Sequence, residues 1–263
     1  MKEDLREQYR EKAAAPGWGP VLDAADGDGP KNRYLDYVHR RVLRRIVHAL
    51  GPRAVDLGCG VGRLTSLVGE GRWAIGLDGS PDLLALARGH LGAGVPLVQA
   101  DVTTLPLASG SLTGALMAQV SMHLADDAAV RTFGEVARVL QPGGHLIVME
   151  HLAPGETDRE YHGVHNRARG SMERFLRDGG LVPVGFIAMK KSPSRVVHWV
   201  KGGRLPRALW GLGAWLDAKA CGRRTELADY LECVVVARKL GGSEIRIETP
   251  GLMSLFLPRR RLR

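Results

Sequence analysis

The chain has 263 residues, 44% hydrophobic and 25% charged, with a formal net charge of +9. This length and composition fit one α/β domain with a cap, or at most two small domains. The chain is long enough to bury a hydrophobic core. The charged start lacks the apolar segment of a signal peptide, and no apolar run approaches the roughly 18 residues that span a bilayer. Its three cysteines have neither disulfide nor zinc-ligand spacing, which predicts a cytoplasmic location and no metal site.

Residues 1–50 are expected to form an N-terminal helical cap. Residues 1–15 have the pattern of a polar helix, which ends at the Pro/Gly-rich segment 16–20. A second helical pattern runs from about Asn32 to Leu50, with apolar side chains on one face and four arginines on the other. We interpret the arginine run, residues 40–45, as a solvated helix face.

Residues 51–152 alternate strand and helix patterns, which predicts right-handed βαβ crossovers and a parallel sheet. Helices are expected at about 63–69, 80–91 and 128–140, with Ser80 as an N-cap. Strands are predicted at Ala54–Leu57, Trp73–Leu77, Pro96–Gln99, Gly114–Gln119 and His145–Glu150.

The second half, 153–240, is less regular. It contains a helix at Ser171–Gly179 and strands at Val182–Met189 and Leu231–Arg238, separated by a Trp-rich insertion at 190–230. Basic residues including Lys190 border that insertion, so it fits a lid over a substrate pocket or a peripheral membrane contact. Residues 241–263 are expected to form a basic tail with one short strand at Glu244–Glu248.

The most informative motif follows the first strand and reads Asp56-Leu-Gly58-Cys59-Gly60-Val-Gly62-Arg63. Glycines permit positive φ and close approach of a ligand to the backbone. A dinucleotide loop would need G-x-G-x-x-G, but Arg63 stands where the third glycine would be. Asp56 would repel a pyrophosphate and suits a ligand with an ammonium group.

This motif resembles the first motif of the class I S-adenosylmethionine-dependent methyltransferases. The Gly-x-Asp-x-Ser string at 76–80 and the Leu-x-Pro-Gly-Gly string at 140–144 are similar to the branch with ubiquinone/menaquinone-type and natural-product enzymes. The resemblance covers about 51–150. It implies a Rossmann-like, seven-stranded, mostly parallel sheet with helices on both faces and an antiparallel last strand. It also implies methyl transfer from S-adenosylmethionine, with S-adenosylhomocysteine as co-product, to O, N or C of a small metabolite or lipid-like acceptor.

The resemblance also implies the cofactor contacts. Asp78, 20 residues after the first glycine, would bind the ribose hydroxyls, and Asp101 with the Val102 amide would bind adenine. Backbone carbonyls at Gly58 and Gln119 would face the cofactor's ammonium group, and Asp56 would order the loop or contact that group through water. The remaining expected contacts are Cys59 and Gly60 in the loop, Gly79 and Ser80 after Asp78, and a cap residue at the cofactor carboxylate, with Arg33, Tyr34, Tyr9 and Trp18 as candidates.

A general base is needed only if the acceptor nucleophile arrives protonated. The candidates are His123 after the fourth strand, His151 after the fifth, and the following loop with Tyr161, His162 and His165, at strand ends where α/β sites lie. No Asn/Asp-Pro-Pro-aromatic string follows the fourth strand, which argues against methylation of nucleic-acid bases. Two alternatives stay open: an RNA methyltransferase, and a non-catalytic partner protein that binds S-adenosylmethionine.

Overall fold

A computed structural model describes residues 3–161, 163–221 and 230–241. In this part of the chain, seven strands form one sheet: β1 (Arg53–Leu57), β2 (Trp73–Asp78), β3 (Leu97–Gln99), β4 (Leu112–Ala118), β5 (Leu140–Leu152), β8 (Leu181–Ser192) and β9 (Tyr230–Lys239). Their order in the sheet is β3-β2-β1-β4-β5-β9-β8. β9 runs antiparallel to both of its neighbours, and the pairs from β3 to β5 are parallel.

The helices cover both faces of this sheet, so the expected fold class is confirmed. Strand residues alternate between two apolar clusters, as the two-residue period of a strand requires. One cluster joins the sheet to α2, α3, α7 and α8, and the other joins it to α5 and α6. The helices are α1 (Glu3–Lys12), α2 (Pro30–Ile46), α3 (Thr65–Val68), α4 (Pro81–Leu91), α5 (Asp126–Val139), α6 (Arg169–Asp178), α7 (Arg195–Lys201) and α8 (Trp210–Ala220).

Three details differ from the sequence-based expectation. β5 begins at Leu140, not His145, because the Pro/Gly segment 142–144 is accommodated as a register shift against β4. The loop expected after residue 153 contains a hairpin of β6 (Arg159–Tyr161) and β7 (Val164–Asn166). β8 extends through Ser192, so Lys190 belongs to the sheet and not to the inserted lid.

Two further expectations concern the ends of the chain and membranes. The expected strand at Glu244–Glu248, and the basic tail apart from Gly241, lie outside the described residues. Over the described ranges, none of the helices combines the length and the apolar composition needed to cross a bilayer.

The parallel topology brings the carboxyl ends of β1, β2, β4 and β5 to one edge of the sheet, which is where α/β proteins bind ligands. α1 lies against this edge. Arg10 of α1 forms a salt bridge with Asp82 of α4 at 3.7 Å, and the Tyr9 ring meets His123 edge-on at a centroid distance of 6.0 Å.

Candidate cofactor and acceptor site

The loop after β1 contains three glycines with positive φ, and a Cβ at any of them would clash with a neighbouring side chain. Gly58 and Gly60 have φ values of 64° and 53°. A Cβ at Gly58 would lie 2.3 Å from Val120 Cγ2, and one at Gly60 would lie 2.6 Å from Val21 Cγ1 of the cap. Arg63, which replaces the third glycine of a dinucleotide loop, is buried and donates to Asp36 of α2 at 3.2 Å. The loop is thus attached to the cap.

Asp78 at the end of β2 holds this loop in place. Its Oδ2 accepts from the Gly60 amide at 2.8 Å and its Oδ1 from the Ser80 amide at 2.8 Å. Burial raises the pKa of Asp78, opposed by the amides of Ser80, Gly60 and Gly79. Each carboxylate oxygen has a second lone pair, so the pair of oxygens can also accept from two vicinal hydroxyls. Ser80 caps α4 as expected, since its Oγ accepts from the Leu83 amide at 3.3 Å.

Asp56 of β1 bonds to the first residue of α3, across the glycine loop. It is buried and accepts from Thr65 Oγ1 at 2.6 Å, and burial raises its pKa to about 7. Cys59 beside it is also buried, and burial raises the pKa of its thiol. These contacts agree with an ordering role for Asp56, and the expected cofactor contact of Cys59 stays a prediction.

The turn after β3 is organised by Asp101. Its Oδ1 accepts from the Thr103 amide at 2.8 Å and from Thr103 Oγ1 at 2.7 Å. Val102 packs partly buried against the apolar cluster that contains α5. The expected adenine contact of these two residues stays a prediction.

The chain leaves β4 through Gln119 and a loop tied to Glu150. Gln119 has a positive φ of 58°, and its amide donates to the Met149 carbonyl at 2.7 Å. Glu150 Oε1 accepts from the amides of Val120 at 3.0 Å and Ser121 at 2.7 Å. Glu150 is fully buried, and burial raises its pKa to about 7. Sequence reasoning did not single out Glu150, which fixes the loop that carries His123.

Beside Gln119 lies a buried polar group that we call the Glu232 cluster: Glu232, Lys190, His39, His151 and Gln119. Glu232 Oε1 lies 2.7 Å from His39 Nε2, 3.2 Å from Gln119 Nε2 and 3.5 Å from His151 Nε2, and its Oε2 lies 3.1 Å from Lys190 Nζ. Burial alone would raise the pKa of Glu232, but Lys190 and His39 hold it well below its usual range.

The pKa values of the two buried basic partners of Glu232, Lys190 and His39, are shifted in opposite directions. Burial alone would lower the pKa of Lys190, but attraction to Glu232 outweighs it and raises that pKa. Burial lowers the pKa of His39 despite the attraction to Glu232. The expectation of Lys190 as an exposed basic flank is therefore wrong, because its side chain is 5% exposed and ion-paired. Two signals could have found the cluster: Lys190 in an apolar strand, and His39 on the apolar face of α2.

The histidine candidates lie in different surroundings. His151 stacks on Tyr230 at 4.0 Å and touches Gln119 and Glu232. Burial, and then Lys12, lower the pKa of His123 to about 4. His165 lies in the hairpin, 3.7 Å from Glu160. His162 and the Tyr161 side chain are outside the described part of the chain.

The cap residues expected at the cofactor carboxylate do not all lie near the loop. Tyr34 is fully buried, and its hydroxyl donates to Asp217 of α8 at 3.1 Å. Arg33 is exposed and donates to Asp28 at 2.7 Å. Their contacts are therefore within the cap and lid and do not support the expected role. Tyr9 is better placed, because burial and then the charges of Asp78 and Glu150 raise the pKa of its hydroxyl.

With this geometry in view, comparisons with known proteins identify the family. Residues 55–148 match the family model described as a methyltransferase domain. Demethylmenaquinone methyltransferase of Mycolicibacterium vanbaalenii is 33% identical over 198 residues, which cover 74% of this chain and 75% of that protein. The chain belongs to the class I S-adenosylmethionine-dependent methyltransferases.

Other curated relatives of this methyltransferase chain match a shorter part of it. The demethylmenaquinone methyltransferase of Thermus thermophilus is 32% identical over 121 residues, which cover 44% of this chain and 54% of that protein. A 37.1 kDa transposon protein of Streptomyces fradiae, described as uncharacterized, is 37% identical over 107 residues, 38% of this chain and 30% of that protein. The chain thus spans about a third to a half of the length of these two relatives.

Solved structures show the same fold at low identity. A geranyl diphosphate C-methyltransferase from Streptomyces coelicolor aligns with a TM-score of 0.63 at 15% identity, covering 91% of this methyltransferase chain and 99% of that chain. The [4+2]-cyclase SpnF aligns with a TM-score of 0.56 at 19% identity, covering 87% of this chain and 98% of that chain. Since one of these proteins is a cyclase, the fold alone does not assign the reaction.

Proposed function

We propose that this chain transfers the methyl group of S-adenosylmethionine to O, N or C of a small acceptor, a secondary metabolite or a lipid-like molecule, and releases S-adenosylhomocysteine. Family membership and the methyltransferases among its relatives support the reaction. The single observation that carries it is the Asp78 carboxylate, which is buried and bonded to the glycine loop, with lone pairs left for a vicinal diol.

The residues present fit the methyl donor. In this proposal, Asp78 holds the ribose, Asp101 and the Val102 amide hold adenine, and carbonyls of Gly58 and Gln119 face the ammonium group. When bound, the donor supplies a methyl carbon that its sulfonium already activates. The protein then has to position the nucleophile and exclude water.

For an acceptor that arrives protonated, His151 is the base that the geometry favours. Its Nε2 lies 3.5 Å from the buried carboxylate of Glu232, which can stabilise the imidazolium that forms on proton uptake. Since Nε2 faces Glu232, Nδ1 is the ring nitrogen left to take the acceptor's proton. His123 is less suited, because a pKa of about 4 makes it a weak base at neutral pH. His162 stays a candidate outside the described residues.

Natural-product biosynthesis and a cytoplasmic location are also part of this proposal. The location is supported by the cysteines: Cys59, Cys221 and Cys233 are all free thiols and all buried. Free thiols without disulfides are usual in a reducing compartment.

The first experiment is calorimetry with S-adenosylmethionine and S-adenosylhomocysteine. The wild-type chain is expected to bind both. Asp78→Ala should weaken binding by about 100-fold, since it removes two hydrogen bonds to a charged group. Asp82→Ala is the matched control, because Asp82 lies four residues away, is exposed, and forms a long salt bridge with Arg10 at 3.7 Å. Its affinity should match that of the wild type.

No binding by folded wild-type protein, or equal loss in both variants, would contradict the proposal. Binding without methyl transfer across a broad acceptor screen would favour a non-catalytic partner. If transfer to RNA is observed instead, with affinity that falls steeply with salt, the alternative of an RNA methyltransferase replaces the small-molecule acceptor.

A further inference from the structure

α8 has two different faces. Its buried face packs into the core through residues spaced three and four apart: Trp210, Gly213, Ala214, Asp217 and Ala218. Its opposite face, continued by the short helical turn before it, carries Leu209, Leu212 and Leu216, which are 47%, 46% and 41% exposed. Trp199 of the neighbouring α7 is 40% exposed. These four side chains expose large apolar groups on adjacent helices of the lid.

The exposed charged side chains around these four residues are all basic. Over the described residues 194–221 the one acidic side chain is Asp217, which is buried and bonded to Ser194 and Tyr34. None of the basic residues in this range forms a salt bridge with another described residue. These basic residues are all exposed: Arg195, Lys201, Arg204, Arg207 and Lys219. We call the exposed leucines, Trp199 and these five cations the lid surface.

We infer that the lid surface docks on an anionic lipid bilayer, with Leu212, Leu216 and Trp199 entering the interface and the cations facing lipid headgroups. Leucine and tryptophan beside lysine and arginine are the composition of helices that lie in a membrane interface. Each cation near an anionic leaflet adds about five-fold to binding. The surface therefore combines an apolar and an electrostatic contribution to the same partner.

Two other partners fit this surface less well. In a twofold dimer the same patch lies on both subunits, so five cations would face five cations across the interface. An RNA would pair with the cations, but it offers no apolar partner for the three exposed leucines. A bilayer satisfies both kinds of side chain.

The inference does not depend on methyl transfer, because docking uses none of the residues proposed to hold the cofactor. One consequence does rest on the proposed function. If the acceptor is lipid-like, a lid docked on the bilayer would place the substrate side of the protein at the membrane that contains the acceptor.

The test is co-sedimentation of the full chain with two kinds of vesicle, phosphatidylcholine alone and phosphatidylcholine mixed with phosphatidylglycerol. The wild type is expected to bind the anionic vesicles, to bind the neutral ones weakly, and to dissociate as salt rises. Arg204→Gln with Arg207→Gln should weaken binding about 25-fold, from about five-fold for each cation. Leu212→Gln with Leu216→Gln should weaken it at least about ten-fold, from the apolar area that no longer enters the lipid.

The matched controls make the same changes elsewhere. Arg44→Gln on α2 and Leu240→Gln after β9 alter exposed residues outside the lid, and both should bind vesicles like the wild type. Calorimetry with S-adenosylmethionine on every variant shows that each remains folded and keeps its cofactor affinity. Loss of vesicle binding with intact cofactor binding separates this inference from the methyl-transfer proposal.

Three results would overturn the inference. In the first, the wild type stays in the supernatant with anionic vesicles, or the lid variants bind as well as the controls. In the second, Leu212→Gln with Leu216→Gln converts a dimer to a monomer, which identifies a second copy as the occupant. In the third, the protein binds an RNA oligonucleotide through the lid arginines and does not bind vesicles.

Discussion

Lys190→Met tests whether the Glu232 cluster is a charged, buried unit. Lys190 of β8 and Glu232 of β9 are cross-strand partners, with Nζ and Oε2 3.1 Å apart and side chains 5% and 1% exposed. Methionine has a similar length and no charge, so it fills the space and removes only the ammonium group. Glu232 would then keep its charge in the core with His39, Gln119 and His151 as its partners.

The expected loss follows from this distance. At 3.1 Å and an effective dielectric constant of about 20, the attraction is about 5 kcal/mol. Removing lysine also removes the cost of burying its charge, so the net loss of unfolding free energy should be about 3 kcal/mol at pH 8.

Acid should reduce this loss. Lys190 lowers the pKa of both His39 and Glu232, so its removal raises the folded-state pKa of these groups relative to the wild type. A group shifted in that direction contributes stability that is present at low pH and is lost as pH rises through the folded pKa. The destabilisation should therefore be smaller at pH 5.5 than at pH 8.

Urea unfolding at both pH values measures the loss of unfolding free energy. Unchanged m-values would show that the substitution changes stability and not the surface exposed on unfolding. Lys201→Met, at an exposed lysine of the lid, is the control and should stay within about 0.5 kcal/mol of the wild type. The double variant Lys190→Met with Glu232→Gln should recover much of the loss, since both charges are gone. Equal effects of the two lysine variants, or a loss independent of pH, would refute the assignment of a buried ion pair.

Three further outcomes follow from other contacts. Burial raises the pKa of Glu150 from 4.5 to about 7, so the stability that protonated Glu150 contributes is complete below pH 4.5 and is lost as pH rises through 7. Glu150→Gln should therefore be about 3 kcal/mol more stable than the wild type at pH 8. Thermal melts across pH measure the difference. Gly114→Ala would place a Cβ 2.4 Å from the backbone of Leu50 and should lower the unfolding free energy by about 3 kcal/mol in urea titrations. Ser80→Ala removes the cap of α4 and should cost about 1 kcal/mol in the same assay.

Local chemistry explains why much of the fold could be predicted. The strands β1, β2 and β4 are apolar runs in a parallel sheet, and each run is enough to identify a buried strand. Ser80 with Pro81 marks a helix start without reference to the rest of the chain, and the structure shows that cap. Asp78 could be predicted at the end of β2 because a single βα unit separates the glycine loop from that strand, and this unit fixes the spacing in the sequence.

The Glu232 cluster could not be predicted, because its members come from distant parts of the chain. His39 and Glu232 are 193 residues apart, and only the packing of α2 on the sheet brings them together. Lysine in a sequence is usually an exposed residue, so the sequence predicts that Lys190 lies at the surface. The start of β5 was missed for a different reason: proline and glycine predict a turn, but in this fold they form a register shift beside β4.

Buried polar contacts join the cap and the lid to the sheet. Asp217 of α8 accepts from Tyr34 of α2 and from Ser194 before α7, and burial raises its pKa to about 6. Glu232 joins α2 to β4, β5 and β8 through its own contacts. Polar groups that must be satisfied in one arrangement favour a unique packing more than apolar contacts do. The buried carboxylates of Asp217 and Glu232 therefore hold the cap, the lid and the strand ends around His151 in one arrangement.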